Sequence, residues 1–135
     1  MVSIQVEYQG DLHCNATHGP SGTGLNTDAP TDNQGRGESF SPTDLVATAL
    51  GTCMLTTMGI LARTLKIDIA GATATVEKEM TAASPRRIQG LAVRIHVPHS
   101  LNQVEKEKLE HAAHTCPVAK SLHPDIQFPT RFTWD

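Results

Sequence analysis

Between Asp44 and Arg63 the chain carries no charged side chain at all. A stretch that dry cannot lie along a solvated surface, so it marks the place where the protein must bury itself. The chain also has no block of lysine or arginine. Its 11 basic residues against 14 acidic ones leave a formal net charge of −3, which argues against nucleic acid or an anionic membrane as partner. The opening segment, MVSIQVEYQG, has neither the basic start nor the apolar run of a secretory signal; the expectation is a cytoplasmic protein. Three cysteines, an odd number at wide spacing, do not make a secreted disulfide framework. In a reducing compartment they are free thiols, metal ligands or redox-active groups. There is no glycine-rich phosphate loop after a strand, no Gly-x-Ser-x-Gly and no acidic pair in a catalytic setting, and no internal repeat. What is present, 135 residues with 39% hydrophobic and 19% charged side chains, reads as one soluble globular domain over residues 1–135 with room for a real core.

The uncharged stretch is a helix by its punctuation. Ser41 is placed to cap it, Pro42 fits the first helical position, and Asp44 stands three residues after the cap. Val46, Leu50, Cys53, Met54, Thr57, Leu61 and Leu65 recur at helical spacing. Opposite them stand Ala47, Thr48, Gly51, Thr52 and Gly59, small rather than hydrated. A helix without a polar face is expected to be buried on every side. A membrane span is not expected, because threonines interrupt the apolar core and leave it shorter than the roughly 20 residues a bilayer requires.

Around this helix the pattern alternates strands and turns. Ile4, Val6 and Tyr8 alternate with Gln5, Glu7 and Gln9 as in a strand; Gly10-Asp11 turns the chain into a second strand over Leu12 to Thr17. A short segment, Thr23 to Thr27, follows, then a polar surface loop from Asp28 to Ser39. After the helix, Ile67 to Thr81 and Ile88 to Pro98 predict an antiparallel hairpin interrupted at Ser84-Pro85. A helix from Ser100 to His114 comes next, then a short one opened by Cys116-Pro117, and a last strand from Ile126 to Trp134. Two hairpins rather than repeated βαβ units predict an α+β fold with a mainly antiparallel sheet.

Two cysteines have settings that bear on chemistry. Pro117 at the first helical position makes Cys116 an N-cap, where free amides and the helix dipole favour a thiolate. Cys53 lies mid-helix, where burial raises a thiol pKa and a cation is needed to lower it. Arg36 in the preceding loop can supply that charge, with Glu38 to orient it. Cys14 has no partner signal and reads as structural. His111, His114 and Cys116 weakly suggest a zinc site, against which stands the plainer reading of a solvated helix face bearing two histidines.

SPTDLVATALGTCM at Ser41 to Met54, taken with HTCPVAKSL at His114 to Leu122, resembles the OsmC/Ohr family of thiol peroxidases, and its OsmC-like subgroup most. The resemblance implies an intertwined homodimer whose cysteine helices are buried centrally, with active sites at the subunit interface. It implies that Cys53 attacks an organic hydroperoxide to give a sulfenic acid, that Cys116 resolves it as a disulfide, and that a dithiol reductant, lipoyl-linked in the best-known members, restores both thiols. No metal or other cofactor is implied. The family's helix glutamate falls at Thr43 here. Glu38 is the preferred substitute, with Asp44 adjacent to the family position, and Arg36, the only arginine before Cys53, is the candidate to stabilise its thiolate. An apolar pocket of Leu50, Met54 and Met58 is expected to favour organic peroxides. Thr43 also supports a second reading, a non-catalytic stress-related or small-molecule-binding dimer on the same fold.

Overall fold

A computed structural model describes all 135 residues and has the expected α+β class, with two separate three-stranded sheets and a long helix between them in chain order. The chain divides into two compact units, Met1–Val46 and Ala47–Asp135, and the boundary falls inside the long helix.

In the first unit, β1 (Ile4–Gly10), β2 (His13–His18) and β3 (Gly24–Asp28) form an antiparallel meander. The turn between β1 and β2 needs left-handed backbone at Gly10, Asp11 and Leu12. His13 and Asp28 face each other across β2 and β3 and join at 2.6 Å. Ile4, Val6 and Tyr8, the apolar side of β1, are 58%, 63% and 64% exposed within one chain. The loop after β3 contains one 3-10 turn, Thr31–Asn33, and is tied back by Gly35 N–H and Gly37 N–H donating to the carbonyls of Pro30 and Ala29. A β-carbon at Gly35 would lie 1.7 Å from the Ala29 carbonyl oxygen, so only glycine fits beside Arg36.

The long helix, α1 (Pro42–Leu65), begins as its sequence predicts. Ser41 N–H donates to Asp44 Oδ2 at 2.9 Å and Asp44 N–H donates to Ser41 Oγ at 3.1 Å, a reciprocal cap that satisfies two orphan donors. It stops at Lys66, which adopts φ 57°. Lys66 N–H then reaches the Arg63 carbonyl and Ile67 N–H the Ala62 carbonyl, the paired bonds of a Schellman end.

Two expectations for α1 are corrected. Its buried stripe is Ala47, Leu50, Gly51, Met54, Met58 and Ala62; Ala47 and Gly51 therefore belong to the inner face, because small residues let a neighbouring strand approach. Nor is the helix buried on every side of one chain: Thr48, Thr52, Thr56 and Ile60 form an exposed stripe. At 24 residues and a mean hydropathy of 1.8 in its most apolar window, α1 is also long and apolar enough to cross a bilayer by composition alone. Here its inner face packs on protein.

That packing lies in the second unit. β4 (Thr73–Met80) and β5 (Ile88–Val97) form the expected hairpin, and β6 (Thr130–Trp134) adds to β5 in parallel. The second sheet is thus mixed, a pairing that β6's own residues do not encode. The strand read from Ile67 begins only at Thr73, since Asp68 and Gly71 hold residues 68–72 in a turn. Between β5 and β6 come α2 (Gln103–His114) and α3 (Pro117–Ser121). α2 starts at a capping box of Asn102 and Glu105, three residues beyond Ser100. Leu50, Met54 and Met58 of α1, Leu91, Val93, Ile95 and Val97 of β5, and Leu109 and Ala113 of α2 are all at most 1% exposed and make up the core.

Candidate active site

Cys116 occupies the break between α2 and α3. Thr115 closes α2 and Pro117 takes the first position of α3, so Cys116 is extended between two helices, as its sequence predicts for an N-cap. Its sulfur accepts a hydrogen bond from Ala119 N–H at 3.4 Å, while its own N–H donates to the Ala113 carbonyl. The side chain is wholly buried.

Cys53, midway along α1, is half-buried. Its thiol lies beside that of Cys116, close enough to act on its ionisation, and all three cysteines of the chain are free thiols. Burial pushes the Cys116 thiol above its ordinary range. The amides of Ala119 and Val118 oppose that rise, and the adjacent Cys53 sulfur reinforces it. The arrangement is a thiol pair of unequal burial, Cys53 half-buried and Cys116 enclosed. Such a pair can cycle between dithiol and disulfide when an oxidant reaches the less buried sulfur.

The other expected residues are placed as follows. Arg36 and Glu38 are exposed in the loop of the first unit, and no ion pair or hydrogen bond joins them. Thr43 turns its hydroxyl to Ser41 Oγ at 3.2 Å, and one oxygen of Asp44 is engaged in the cap of α1. Leu50, Met54 and Met58 are fully buried; they form the core face of α1 and line none of the surface cavities described below. Cys14 is half-buried in β2, between Tyr8 and Thr27 of the flanking strands.

His111, His114 and Cys116 do not converge, and no three His, Cys, Asp or Glu side chains gather as a metal site. The His114 ring meets Phe132 edge-on at 6.0 Å, Phe132 stacks on Trp134, and Lys106 lies 5.9 Å from the Trp134 ring centre. His111 lines a groove instead.

That groove is the feature the sequence did not reveal. It lies between α1 and α2, holds about 640 Å³, and is lined by Thr57, Ile60, Leu61 and Thr64 on one side and by Val104, Lys108, His111, Ala112 and Thr115 among others on the second. A second cavity of about 570 Å³ lies between the end of α1 and residues 67–72. Read by itself, the run QVEKEKLE gives a wet helix face; only the pairing of the two helices makes Val104 part of a concave wall.

The family model for OsmC-like proteins matches residues 35–131. Among solved structures, a candidate osmotic stress induced and detoxification response protein from Psychrobacter arcticus 273-4 is 49% identical, with a TM-score of 0.94 over 98% of this chain and 96% of that one. An organic hydroperoxide resistance protein OsmC from Legionella pneumophila is 20% identical (TM-score 0.79, covering 98% and 96%). A candidate organic hydroperoxide resistance protein from Vibrio cholerae, solved with captopril in one of its active sites, is 21% identical (TM-score 0.75, covering 98% and 90%). These last two show the shared fold. No curated protein matches the chain.

Proposed function

This chain belongs to the OsmC-like protein family, and from that membership we propose that it is a cysteine-based peroxidase that reduces organic hydroperoxides to alcohols. The observation that carries the reading is the adjacent pair of a half-buried Cys53 and an enclosed Cys116. The Cys53 thiolate attacks the outer oxygen of the hydroperoxide. The O–O bond breaks, the alkoxide takes a proton and leaves as the alcohol, and Cys53 becomes a sulfenic acid. Cys116, as thiolate, then attacks that sulfur; hydroxide leaves and is protonated to water, and a disulfide remains. An external dithiol returns both sulfurs to thiols at the cost of its own oxidation.

Access divides the roles. An oxidant reaches Cys53 before Cys116, and the enclosed Cys116 is kept from direct oxidation until its neighbour has reacted. Arg36 and Glu38, in the glycine-constrained loop before α1, are the proposed pair for stabilising the Cys53 thiolate, and the protein is proposed to work as a homodimer in the cytoplasm. The exposed apolar side of β1 and the exposed Thr48–Thr52–Thr56 stripe of α1 favour a second copy as their cover.

The test is steady-state turnover of cumene hydroperoxide and hydrogen peroxide with a dithiol reductant. Faster reduction of cumene hydroperoxide is expected; no turnover of either would remove the reading. A second reading, a binding dimer without efficient chemistry, is favoured by Thr43 and by the unpaired Arg36. Titration of the Cys53 thiol separates them, since a binder has no need of a thiolate at neutral pH.

The raised Cys116 thiol gives a pH prediction with a definite sign. Thiolate, not thiol, closes the disulfide. Below the Cys116 pKa its thiolate fraction, and with it the rate of disulfide closure, should climb about tenfold per pH unit. Rapid quenching with an alkylating agent between pH 6.5 and pH 9 (both roughly bracketing the neutral to alkaline thiol range) measures this; a flat profile would show that Cys116 is already ionised.

A further inference from the structure

The cavity between the end of α1 and residues 67–72 lies away from the thiols, and its lining includes neither Cys53 nor Cys116. Each residue of a helix turns about 100°. Leu55, Gly59 and Ala62, which line the cavity from α1, therefore stand roughly 180–240° round the helix from Cys53. Gly59 makes the space, since a β-carbon there would meet nothing within 4 Å. The facing wall is fixed by its own hydrogen bonds. Ile67 N–H donates to the Ala62 carbonyl and Ala72 N–H to the Ile69 carbonyl. Ala70 N–H donates to Asp68 Oδ1 at 2.8 Å, and Nε2 of His99 lies 2.7 Å from the Ala70 carbonyl oxygen. The hollow is thus preformed, and its volume of about 570 Å³ falls in the range of small-molecule sites, roughly 300–1,000 Å³.

Its two charged groups are not equally free. Arg63 lines the cavity, is exposed, and makes no ion pair or side-chain hydrogen bond. Asp68 is the one acid in the lining, and its Oδ1 is already engaged by Ala70 N–H. Every other lining residue is aliphatic or glycine. An apolar hollow beside one free guanidinium complements an amphiphile with an anionic head, and the planar fork of arginine suits a carboxylate best. We propose that this cavity binds a small aliphatic carboxylate, its chain laid over Gly59 against Leu55, Ile67 and Ile69, its head paired with Arg63. Each methylene that leaves water there strengthens binding in proportion to the apolar area covered. The site is separate from the peroxide chemistry and does not depend on it, so it gives the second unit a ligand-binding function of its own.

Octanoate, octanol and octylamine share a chain and differ only in the head, so calorimetric titration of the full-length reduced protein at low ionic strength separates chain from charge. Octanoate should bind about tenfold more tightly than octanol, the gain of a charge-assisted pair, and octylamine should bind most weakly. Added salt should narrow the gap between octanoate and octanol. Arg63→Gln should abolish that gap while leaving octanol binding as it was. Gly59→Leu, which fills the hollow from a position with open space, should weaken octanoate and octanol alike by about tenfold, as the chain loses its apolar contact area. Cys53→Ser should leave octanoate binding unchanged. No octanoate binding to the parent protein overturns the proposal, as does equal or tighter binding of octylamine. So does an octanoate affinity that neither Arg63→Gln nor Gly59→Leu moves. A change of oligomeric state in Gly59→Leu also overturns it, because the hollow would then belong to a contact between copies.

Discussion

Cys53→Ser should lower kcat/KM for an organic hydroperoxide by roughly a thousandfold or more, the scale seen when a catalytic nucleophile is removed. A serine hydroxyl matches the thiol closely in size but is not ionised near neutrality and cannot form a sulfenic acid, so the first step has no substitute. Cys53 is only half-buried and lies outside the fully closed core, so folding should survive the change. Cys116→Ser is the informative companion. It leaves the open sulfur in place and removes the enclosed one, so one equivalent of peroxide should still be consumed while steady turnover with a dithiol collapses. Cys14→Ser should change neither quantity, because Cys14 belongs to β2, where it pairs with Tyr8 and Thr27. Peroxide consumption in a single turnover and in the steady state, measured on the three variants, separates these outcomes. Equal turnover in Cys53→Ser and the parent would remove Cys53 from the chemistry.

The second large effect concerns stability. Gly51→Leu should destabilise the protein by about 2 kcal/mol, the middle of the range for overpacking a filled core. A β-carbon at Gly51 would already stand 3.0 Å from Val76 Cγ2 and 3.7 Å from Ala74 Cβ, and leucine adds three more heavy atoms in the same gap. Val76 is β-branched and held in β4, so it yields poorly. For a chain of this length the unfolding midpoint should fall by roughly 7 °C. Gly59→Ala should have the opposite sign. A β-carbon there meets nothing within 4 Å, and replacing a mid-helix glycine by alanine raises stability by about 0.5–1 kcal/mol. Thermal unfolding of the two variants checks both. Unchanged stability in Gly51→Leu would mean that α1 does not pack on β4 through Gly51, and a loss in Gly59→Ala would mean that Gly59 does not face open space.

Much of this architecture was legible in the sequence where it is written locally. The Ser41-Pro42-Asp44 signal gave the start of α1 to the residue, and Cys116-Pro117 gave the cap of α3. Alternation in Ile88–Val97 gave β5 and its hairpin with β4. Features set by distant partners were not legible. Ala47 and Gly51 read as an opposite face because small residues carry no hydrophobic signal, yet they are where β4 comes close. The parallel pairing of β6 depends on α2 and α3 carrying the chain back across, which no residue of Thr130–Trp134 records. The nearness of Cys53 and Cys116, 63 positions apart in the numbering, came from the family resemblance and not from spacing. Arg36 and Glu38 were chosen by type and position in a loop, and loop side chains take their contacts from whatever the fold brings to them.

The decisive measurement is a disulfide map. Fully reduced protein is given one equivalent of an organic hydroperoxide, the remaining thiols are alkylated, and the digest is read by mass spectrometry. The account predicts a Cys53–Cys116 cross-link within one chain, with Cys14 alkylated. Peroxide consumed while Cys53 and Cys116 both remain free to alkylate would contradict it.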